Sequence, residues 1–319
     1  MSLRSEIALI LEKNRGSAVS GQELADSLGV TRAAVCKAVK QLRDEGYCIS
    51  AATNKGYILE ENSDVLSAEG IRALLGEKYN SNSITVYKSI DSTNTEAKRS
   101  AMLGAAHGTV IAADTQTNGR GRHGHSFYSP AGTGLYLSVV LKPEKPLADC
   151  TLTTIAAADA LADTIEELTD CKPEIKWVND ILVDGRKVCG ILTEAISDIE
   201  SGMAEAIIVG AGVNISTRDF PPEIANTAGS LKSSVTRNKL AAGIISRLLD
   251  YTAEADSKRI LSDYRRRSAA LGETVTFMRN GELITALATD INDAGNLIVQ
   301  TPNGTEVLKL GEISIRRTI

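Results

Sequence analysis

Apolar positions in the first part of the chain recur with helical spacing and then change to alternation. Gly21-Gln-Glu-Leu24-Ala-Asp-Ser-Leu28 predicts a short helix that Gly29 ends, because a residue without Cβ suits a helix C-terminus. Val30-Thr31 restarts the chain with Thr31 as N-cap, and the next helix runs from about Arg32 to Glu45 and stops at Gly46. On it Val35, Val39 and Leu42 share one face, with Lys37, Lys40 and Gln41 opposite and Arg32 and Arg43 at the flank. Tyr47–Ser50 and Tyr57–Leu59, joined through Thr53-Asn-Lys-Gly56, read as a hairpin.

A short helix, a tight turn, a helix with a basic outer face and a following hairpin match a winged helix-turn-helix. That geometry places the second helix in a major groove, with Arg32, Lys37 and Lys40 meeting phosphates and Thr31 or Gln41 near base edges. Lys55 at the wing tip would touch backbone phosphate. The plainer alternative is a helical unit for protein contacts whose cations form a solvated face, and Asp44 and Glu45 do weaken the positive field. Agreement of turn, cap, cationic face and wing favours DNA.

After the polar break Ser63–Ser67, read as a linker, strands and helices alternate. Ile84–Tyr87 predicts a strand, Asn94–Leu103 a helix, and Gly108–Ala112 and Leu135–Leu141 further strands. Between the last two lies Gln116-Thr-Asn-Gly119-Arg120-Gly121-Arg122-His123-Gly124-His125. Its glycines satisfy GxGxxG, yet a dinucleotide fingerprint must open a helix, and this loop leads through Pro130 into a strand. A mobile surface loop is the bland reading. Three glycines with two arginines point instead to an anion site, since converging N–H groups and forked guanidiniums bind carboxylate or phosphate. His123 and His125 lack a third ligand at workable spacing, so metal is not expected there.

Farther on, Ile175-Lys176-Trp177-Val178-Asn179-Asp180 leads through Ile181–Val183 to the turn Asp184-Gly185, then Arg186-Lys187 and Gly190-Ile-Leu. Asp-Gly between apolar runs is a hairpin signal, which sets Lys187 near Asn179 and Asp180. Gly190 inside a strand implies close approach of a ligand or backbone. A plain hairpin with exposed Lys and Asp is the alternative. From Leu271 to Arg317 short strands separated by Asn280-Gly281, Ala294-Gly295-Asn296 and Asn303-Gly304 predict a small SH3-like β-barrel.

Composition narrows the class. The 319 residues suggest two or three domains, with 43% hydrophobic and 24% charged residues and aromatics at only 4%. A net charge of −5 excludes a chain that is basic throughout, though not a local basic face. Five cysteines (Cys36, Cys48, Cys150, Cys171, Cys189) without a CxxC pair fit reduced thiols. Without an apolar run of membrane-spanning length or a signal-type N-terminus, a soluble cytoplasmic protein with no membrane partner is expected.

Asp91-Ser92-Thr93-Asn94, Gln116, Gly119-Arg-Gly-Arg122, Lys176-Trp177 with Asn179-Asp180, Lys187 with Gly190-Ile-Leu, and Gly210-Ala-Gly-Val-Asn214 together resemble the biotin–protein ligase family, specifically its bifunctional members that repress biotin-operon transcription. The resemblance covers nearly the whole chain. It implies an α+β multidomain architecture: a winged helix-turn-helix over 1–62, a central mixed-sheet α/β ligase domain of class II synthetase type over 66–268, and the SH3-like domain over 269–319.

It further implies that biotin lies against Ser92, Thr93, Asn94, Gln116, Gly119, Arg120, Gly121, Arg122, Lys187 and Gly190, and nucleotide against Asn179, Asp180 and Asn214. Arg122 and Lys187 would stabilise the reacting phosphorus, with Asp180 a candidate magnesium partner. The glycine loop would be loose when empty and ordered by ligand. The implied partners are a biotin carboxyl carrier domain of a carboxylase, operator DNA and, with ligand bound, a second copy. Two alternatives are a biotin-sensing transcription factor without ligase activity and a lipoate–protein ligase. The sequence departs from the family at His123 and His125, where arginines are usual, so adenylate retention could be weaker or pH-sensitive. It also has Val178 where proline usually follows the tryptophan.

Overall fold

The computed structural model describes residues 2–52, 56–143, 151–197, 203–253, 257–309 and 313–316. Two compact units emerge, one formed by residues 1–86 with 234–246 and the other by 87–233 with 247–319.

The first unit begins with α1 (Leu3–Lys13), β1 (Ala18–Val19), α2 (Gly21–Leu28), α3 (Arg32–Asp44), β2 (Ile49–Ala52), β3 (Gly56–Leu59) and α4 (Ala68–Leu74). Ser20 caps α2 through the Gln22 and Glu23 amides, and Gly29 ends it at φ +64°. Thr31 Oγ1 then accepts from Ala34 N at 3.2 Å and starts α3. The buried face of α3 is Val35, Ala38, Val39 and Leu42, packed with Ile7, Leu11, Leu24 and Leu59. Burying that stripe leaves Thr31, Arg32, Lys37, Lys40 and Gln41 exposed. Exposed Arg43 also ties α3 to the hairpin, its Nε donating to Ile49 O at 2.8 Å. The wing is the sheet β1-β3-β2, and Lys55 lies outside the described residues.

The Ser63–Ser67 break is held in place. Asp64 accepts from Arg237 N and Nε at 2.8 and 3.0 Å. Asn238 bridges Val65 O and Ser67 N. The partners lie over 160 residues away in sequence, so no local pattern could reveal them.

The second unit continues from the end of β4 (Ile84–Tyr87, whose first three residues belong to the first unit) through α5 (Thr93–Met102), β5 (Thr109–Ala113), β6 (Gly134–Leu141), α6 (Thr151–Leu168), β7 (Glu174–Lys176), β8 (Asp180–Val183), β9 (Arg186–Ser197), β10 (Ala204–Asn214), α7 (Arg237–Ala253, whose first turns belong to the first unit) and α8 (Ser257–Arg266). The sheet order is β4-β5-β6-β10-β9-β8-β7. Its central pairs are antiparallel, while the chain just past β4 runs parallel to the chain past β5 at Ile90–Gln116, so the sheet is mixed. Every residue of β6 is buried, as its uninterrupted apolar run requires of a strand covered on both faces. Helix α5 packs on β5, β6 and β10, with Ala97, Ile111, Val140 and Ile208 in one cluster. Helix α6 packs on β7, β8 and β9.

Strands β11 (Thr274–Arg279), β12 (Glu282–Ile291), β13 (Leu297–Thr301), β14 (Gly304–Leu308) and β15 (Ser314–Arg316) form a five-stranded antiparallel sheet in the order β14-β13-β12-β11-β15. Asn280 and Gly281 both take positive φ, the conformation a two-residue hairpin turn needs. Trp177 joins this sheet to the larger one, its buried indole N–H donating to Gly295 O at 3.0 Å. No helix among the described residues is long and apolar enough to cross a membrane.

Candidate active site

Three sequence segments converge at the ends and faces of β8, β9 and β10. Asp184 and Gly185 take φ of +52° and +74°, which closes the β8–β9 hairpin tightly. The hairpin folds Lys187 back onto Asp180, with Nζ 2.7 Å from Oδ1. Beyond this ion pair the buried Oδ1 has no hydrogen-bond partner among the described residues. Asn179 is fixed by bonds in both directions with Ile191 and accepts from Arg122 Nη1 at 3.2 Å. Arg122, Asn179, Asp180 and Lys187, drawn from two distant segments, therefore face one cavity of about 640 Å³.

The arginine loop closes on itself through Phe127 N to Gly119 O at 2.9 Å and Gly121 N to His125 O at 2.7 Å. Arg122–Gly124 is a short 3-10 turn with His123 at φ +52°. His125 lines the cavity and His123 does not. Among the described residues no group of three or more His, Cys, Asp or Glu side chains could hold a metal ion.

The inner end of the cavity is polar. Ser92 caps α5, whose first turn carries Thr93 and Asn94. Gln116 Oε1 accepts from Thr93 N and Oγ1 at 2.8 and 3.1 Å, and its Nε2 donates to Ser129 Oγ at 2.9 Å. Both acceptor sites of Gln116 are thus filled, and only its second amide hydrogen remains for a ligand. Asn94 donates to Leu192 O at 3.2 Å and to Glu194 Oε2 at 2.9 Å, and accepts from Ser138 Oγ at 2.6 Å. Such a satisfied network fixes rotamers in advance of binding.

Glycines floor the cavity. A Cβ on Gly210 would stand 1.9 Å from Asn94 Oδ1, and one on Gly212 would stand 2.5 Å from the Phe127 ring. Gly190 lines the same cavity, and a Cβ there would meet Lys187 Cε at 3.1 Å and Phe127 Cε2 at 3.2 Å.

Of the residues expected at the site, Ser92, Thr93, Asn94, Gln116, Arg120, Gly121, Arg122, Asn179, Asp180, Lys187 and Gly190 line the cavity. Gly119 and Asn214 do not. Gly119 is packed against Phe127 O and Ser129 Oγ, where any side chain would collide. Asn214 sits behind the wall, donating to Gly229 O at 3.1 Å and accepting Leu231 N on its backbone. Its effect is to hold the 224–231 segment, where Thr227 O accepts Lys187 N at 2.8 Å. Asn226 and Thr227, with no motif of their own, line the cavity, as do Ile313–Ile315 of the C-terminal sheet. Ser138, Phe127 and Glu194 were also missed. A serine at the centre of the apolar run Leu135–Leu141 was the one available signal.

Charge in the cavity is mostly positive, with Arg120, Arg122, Lys176 and Lys187 against Asp180. Behind it, burial pulls the Glu194 carboxyl up, but hydrogen bonds from Lys98 and Asn94 and the charges of Lys98 and Arg120 outweigh this and hold it below the usual carboxylate range. Burial pushes the Cys189 thiol far up, so this sulfur is no nucleophile.

The whole chain has relatives of the same layout. A bifunctional ligase/repressor BirA of Bacillus subtilis (strain 168) is 31% identical over 326 residues, covering 98% of this chain and 99% of the relative. Residues 86–214 match the family model of biotin/lipoate A/B protein ligases. The chain belongs to the biotin/lipoate A/B protein ligase family. Residues 4–58 match a helix-turn-helix domain and 270–316 the biotin protein ligase C-terminal domain, which accounts for both flanks of this ligase-family core. The bifunctional ligase/repressor BirA of Escherichia coli (strain K12) is 29% identical, with 97% of each chain covered. Among solved ligase structures, the biotin protein ligase of Aquifex aeolicus in complex with biotin and ATP aligns with a TM-score of 0.63 at 26% identity, covering 74% of this chain and 99% of that one.

Proposed function

We propose that this chain activates biotin with ATP, transfers it to a lysine of a biotin carrier protein, and represses transcription through its N-terminal helix-turn-helix. The observation that carries the enzymatic half is the meeting of Arg122, Asn179, Asp180 and Lys187 beside the polar end built by Thr93, Gln116 and Asn94.

Two anions must meet in the first step. A carboxylate oxygen of biotin attacks the α-phosphorus of ATP, the bond to the β-phosphate oxygen breaks, and pyrophosphate leaves with its electron pair. Arg122 and Lys187 lower the repulsion and stabilise charge on the five-coordinate phosphorus. In the second step the carrier lysine amine attacks the acyl carbon of the mixed anhydride, AMP leaves, and the amine loses a proton. No enzyme nucleophile is required.

Magnesium fits the donors in a limited way. Asp180 supplies one carboxylate at the cavity wall, and magnesium commonly takes one or two carboxylates and completes its shell with phosphates and water. Bound there, the ion would shield phosphate charge. Lys187 forms an ion pair with the same carboxylate at 2.7 Å.

For repression, exposed Arg32, Lys37 and Lys40 on α3 meet phosphate, and Gln41 reaches base edges. Thr31 accepts the Ala34 amide, which leaves its hydroxyl hydrogen for a contact. A two-fold operator calls for a homodimer formed with the adenylate bound, in the cytoplasm where carrier proteins and DNA are both at hand.

Biotin-dependent exchange of labelled pyrophosphate into ATP tests the first step. Exchange with biotin and none with lipoate is expected. Binding of biotin without exchange would leave a sensor, and exchange with lipoate alone would make the chain a lipoate ligase.

A further inference from the structure

A fully buried hydroxyl of α8, unused in the chemistry above, reaches the backbone behind the cavity wall. Tyr264 Oη donates to Val178 O at 3.1 Å. Val178 lies in the turn between β7 and β8, directly before Asn179 and Asp180, which line the cavity. We propose that Tyr264 is a positioning residue that acts through the Val178 carbonyl to set the backbone carrying Asn179 and Asp180, and with it the wall that meets the nucleotide. This rests on reading the cavity as the biotin and nucleotide site.

Each residue of the turn 177–179 is anchored by a different part of the fold. The Trp177 indole reaches Gly295 O at 3.0 Å, Val178 O takes the Tyr264 hydroxyl, and Asn179 O accepts Ile191 N of β9 at 2.9 Å. The Val178–Asn179 peptide is one rigid plane, so fixing its oxygen fixes the plane from which Asn179 departs. Ile191 fixes the next plane. With both planes held, the two backbone dihedrals of Asn179 and the direction of its side chain are set, and Asp180 follows as the first residue of β8. Helix α8 can serve as an anchor because its own end is tied down. Arg267, just past α8, donates to Asp159 Oδ1 at 2.7 Å and to Glu166 Oε2 at 2.6 Å, both on α6. Its carbonyl accepts Ile175 N at 2.7 Å and Ala269 N donates to Ile175 O at 2.9 Å, so the chain leaving α8 runs alongside β7. Burial, reinforced by the charge of Asp180 and opposed by Arg122, pushes the Tyr264 phenol far up, which keeps the hydroxyl a donor.

The variants that test this are Tyr264→Phe, Asn179→Ala and the double variant. Phenylalanine keeps the ring in the core and removes only the hydroxyl. In biotin-dependent pyrophosphate exchange, Y264F raises KM for ATP about tenfold and leaves KM for biotin within about twofold, the split expected when the nucleotide wall alone is disturbed. The biotin end is unaffected because Thr93, Asn94 and Gln116 are held by other elements. In the double variant KM for ATP is no higher than in N179A, since the hydroxyl acts through the residue already removed. In the ligand-free protein, amide hydrogen exchange over residues 177–182 is several times faster in Y264F than in the wild type, while residues 134–141 of β6 exchange at the wild-type rate. An unchanged KM for ATP, a parallel rise in KM for biotin, fold changes that multiply in the double variant, or loosening spread equally to β6 would overturn the proposal. A Y264F protein that does not fold would make the hydroxyl a requirement of the fold and overturn it as well. Absence of pyrophosphate exchange in the wild type would defeat the reading of the site, and the amide exchange comparison, which uses no ligand, would still decide whether Tyr264 sets this backbone.

Discussion

Gly210→Ala puts the packing of the site to a quantitative test. The added Cβ would lie 1.9 Å from Asn94 Oδ1 and 2.8 Å from its Cγ, well inside contact distance. Gly210 is a central residue of β10, paired with Ser138 on one side and Leu192 on the other, so its backbone has little freedom to retreat. The Asn94 side chain must move, and it is 4% exposed and bonded to Leu192, Glu194 and Ser138. Losing three hydrogen bonds at about 1 kcal/mol each costs about 3 kcal/mol. For a folding unit of this size that is a fall in Tm of roughly 6–12 °C. Biotin affinity should drop by about tenfold or more as the Thr93–Gln116 arrangement is disturbed, since 1.4 kcal/mol is a factor of ten. Gly212→Ala is the comparison, because its Cβ meets the ring of half-buried Phe127, which can swing, and the loss of Tm should be smaller. Thermal unfolding and isothermal titration with biotin read both effects. A G210A protein with wild-type Tm and wild-type biotin affinity would refute the reasoning.

Three further outcomes follow from the same structure. Lys187→Met and Arg122→Met should each slow adenylate formation by about 10²–10³ while leaving the fold intact, measured as pyrophosphate release in single turnover alongside circular dichroism. Replacing Lys37 and Lys40 by Ala should flatten the slope of log affinity for duplex DNA against log salt by about 2, read by fluorescence anisotropy, and an unchanged slope would remove α3 from the interface. Asp159 is fully buried, and burial and Asp163 push its pKa up to about 6 despite the 2.7 Å contact with Arg267. The folded state then binds its proton more tightly than the unfolded state, so this group stabilises the fold at low pH, and that stability is lost as pH rises from about 4 through about 6. The Tm of the wild type measured against Asp159→Asn should fall across that window, and a rise would contradict the assignment.

What could be read from the sequence was local. Gly29 and Thr31 marked the boundary of α2 and α3 because a left-handed C-cap and a hydroxyl N-cap are chosen by the backbone itself. Asp184-Gly185 similarly fixed the hairpin that brings Lys187 to Asp180. The antiparallel C-terminal sheet followed from its turn residues. Contacts between distant segments were not visible. The hold of Arg237 and Asn238 on Asp64–Ser67 turned an expected linker into fixed structure. Asn214 carries a motif residue's identity, yet it is not among the residues that line the cavity and its Nδ2 donates to Gly229 O, a contact with a distant segment that spacing cannot reveal. Phe127 settled on glycines 190 and 212 only because two strands bring them side by side.

The most direct test of the account is incubation of the purified chain with biotin, ATP and magnesium together with an isolated biotin carrier domain, followed by intact-mass measurement of that domain. The account predicts addition of one biotinyl group to a single lysine, dependent on ATP and abolished in K187M. An acceptor whose mass does not change, with the protein folded and its substrates present, would contradict it.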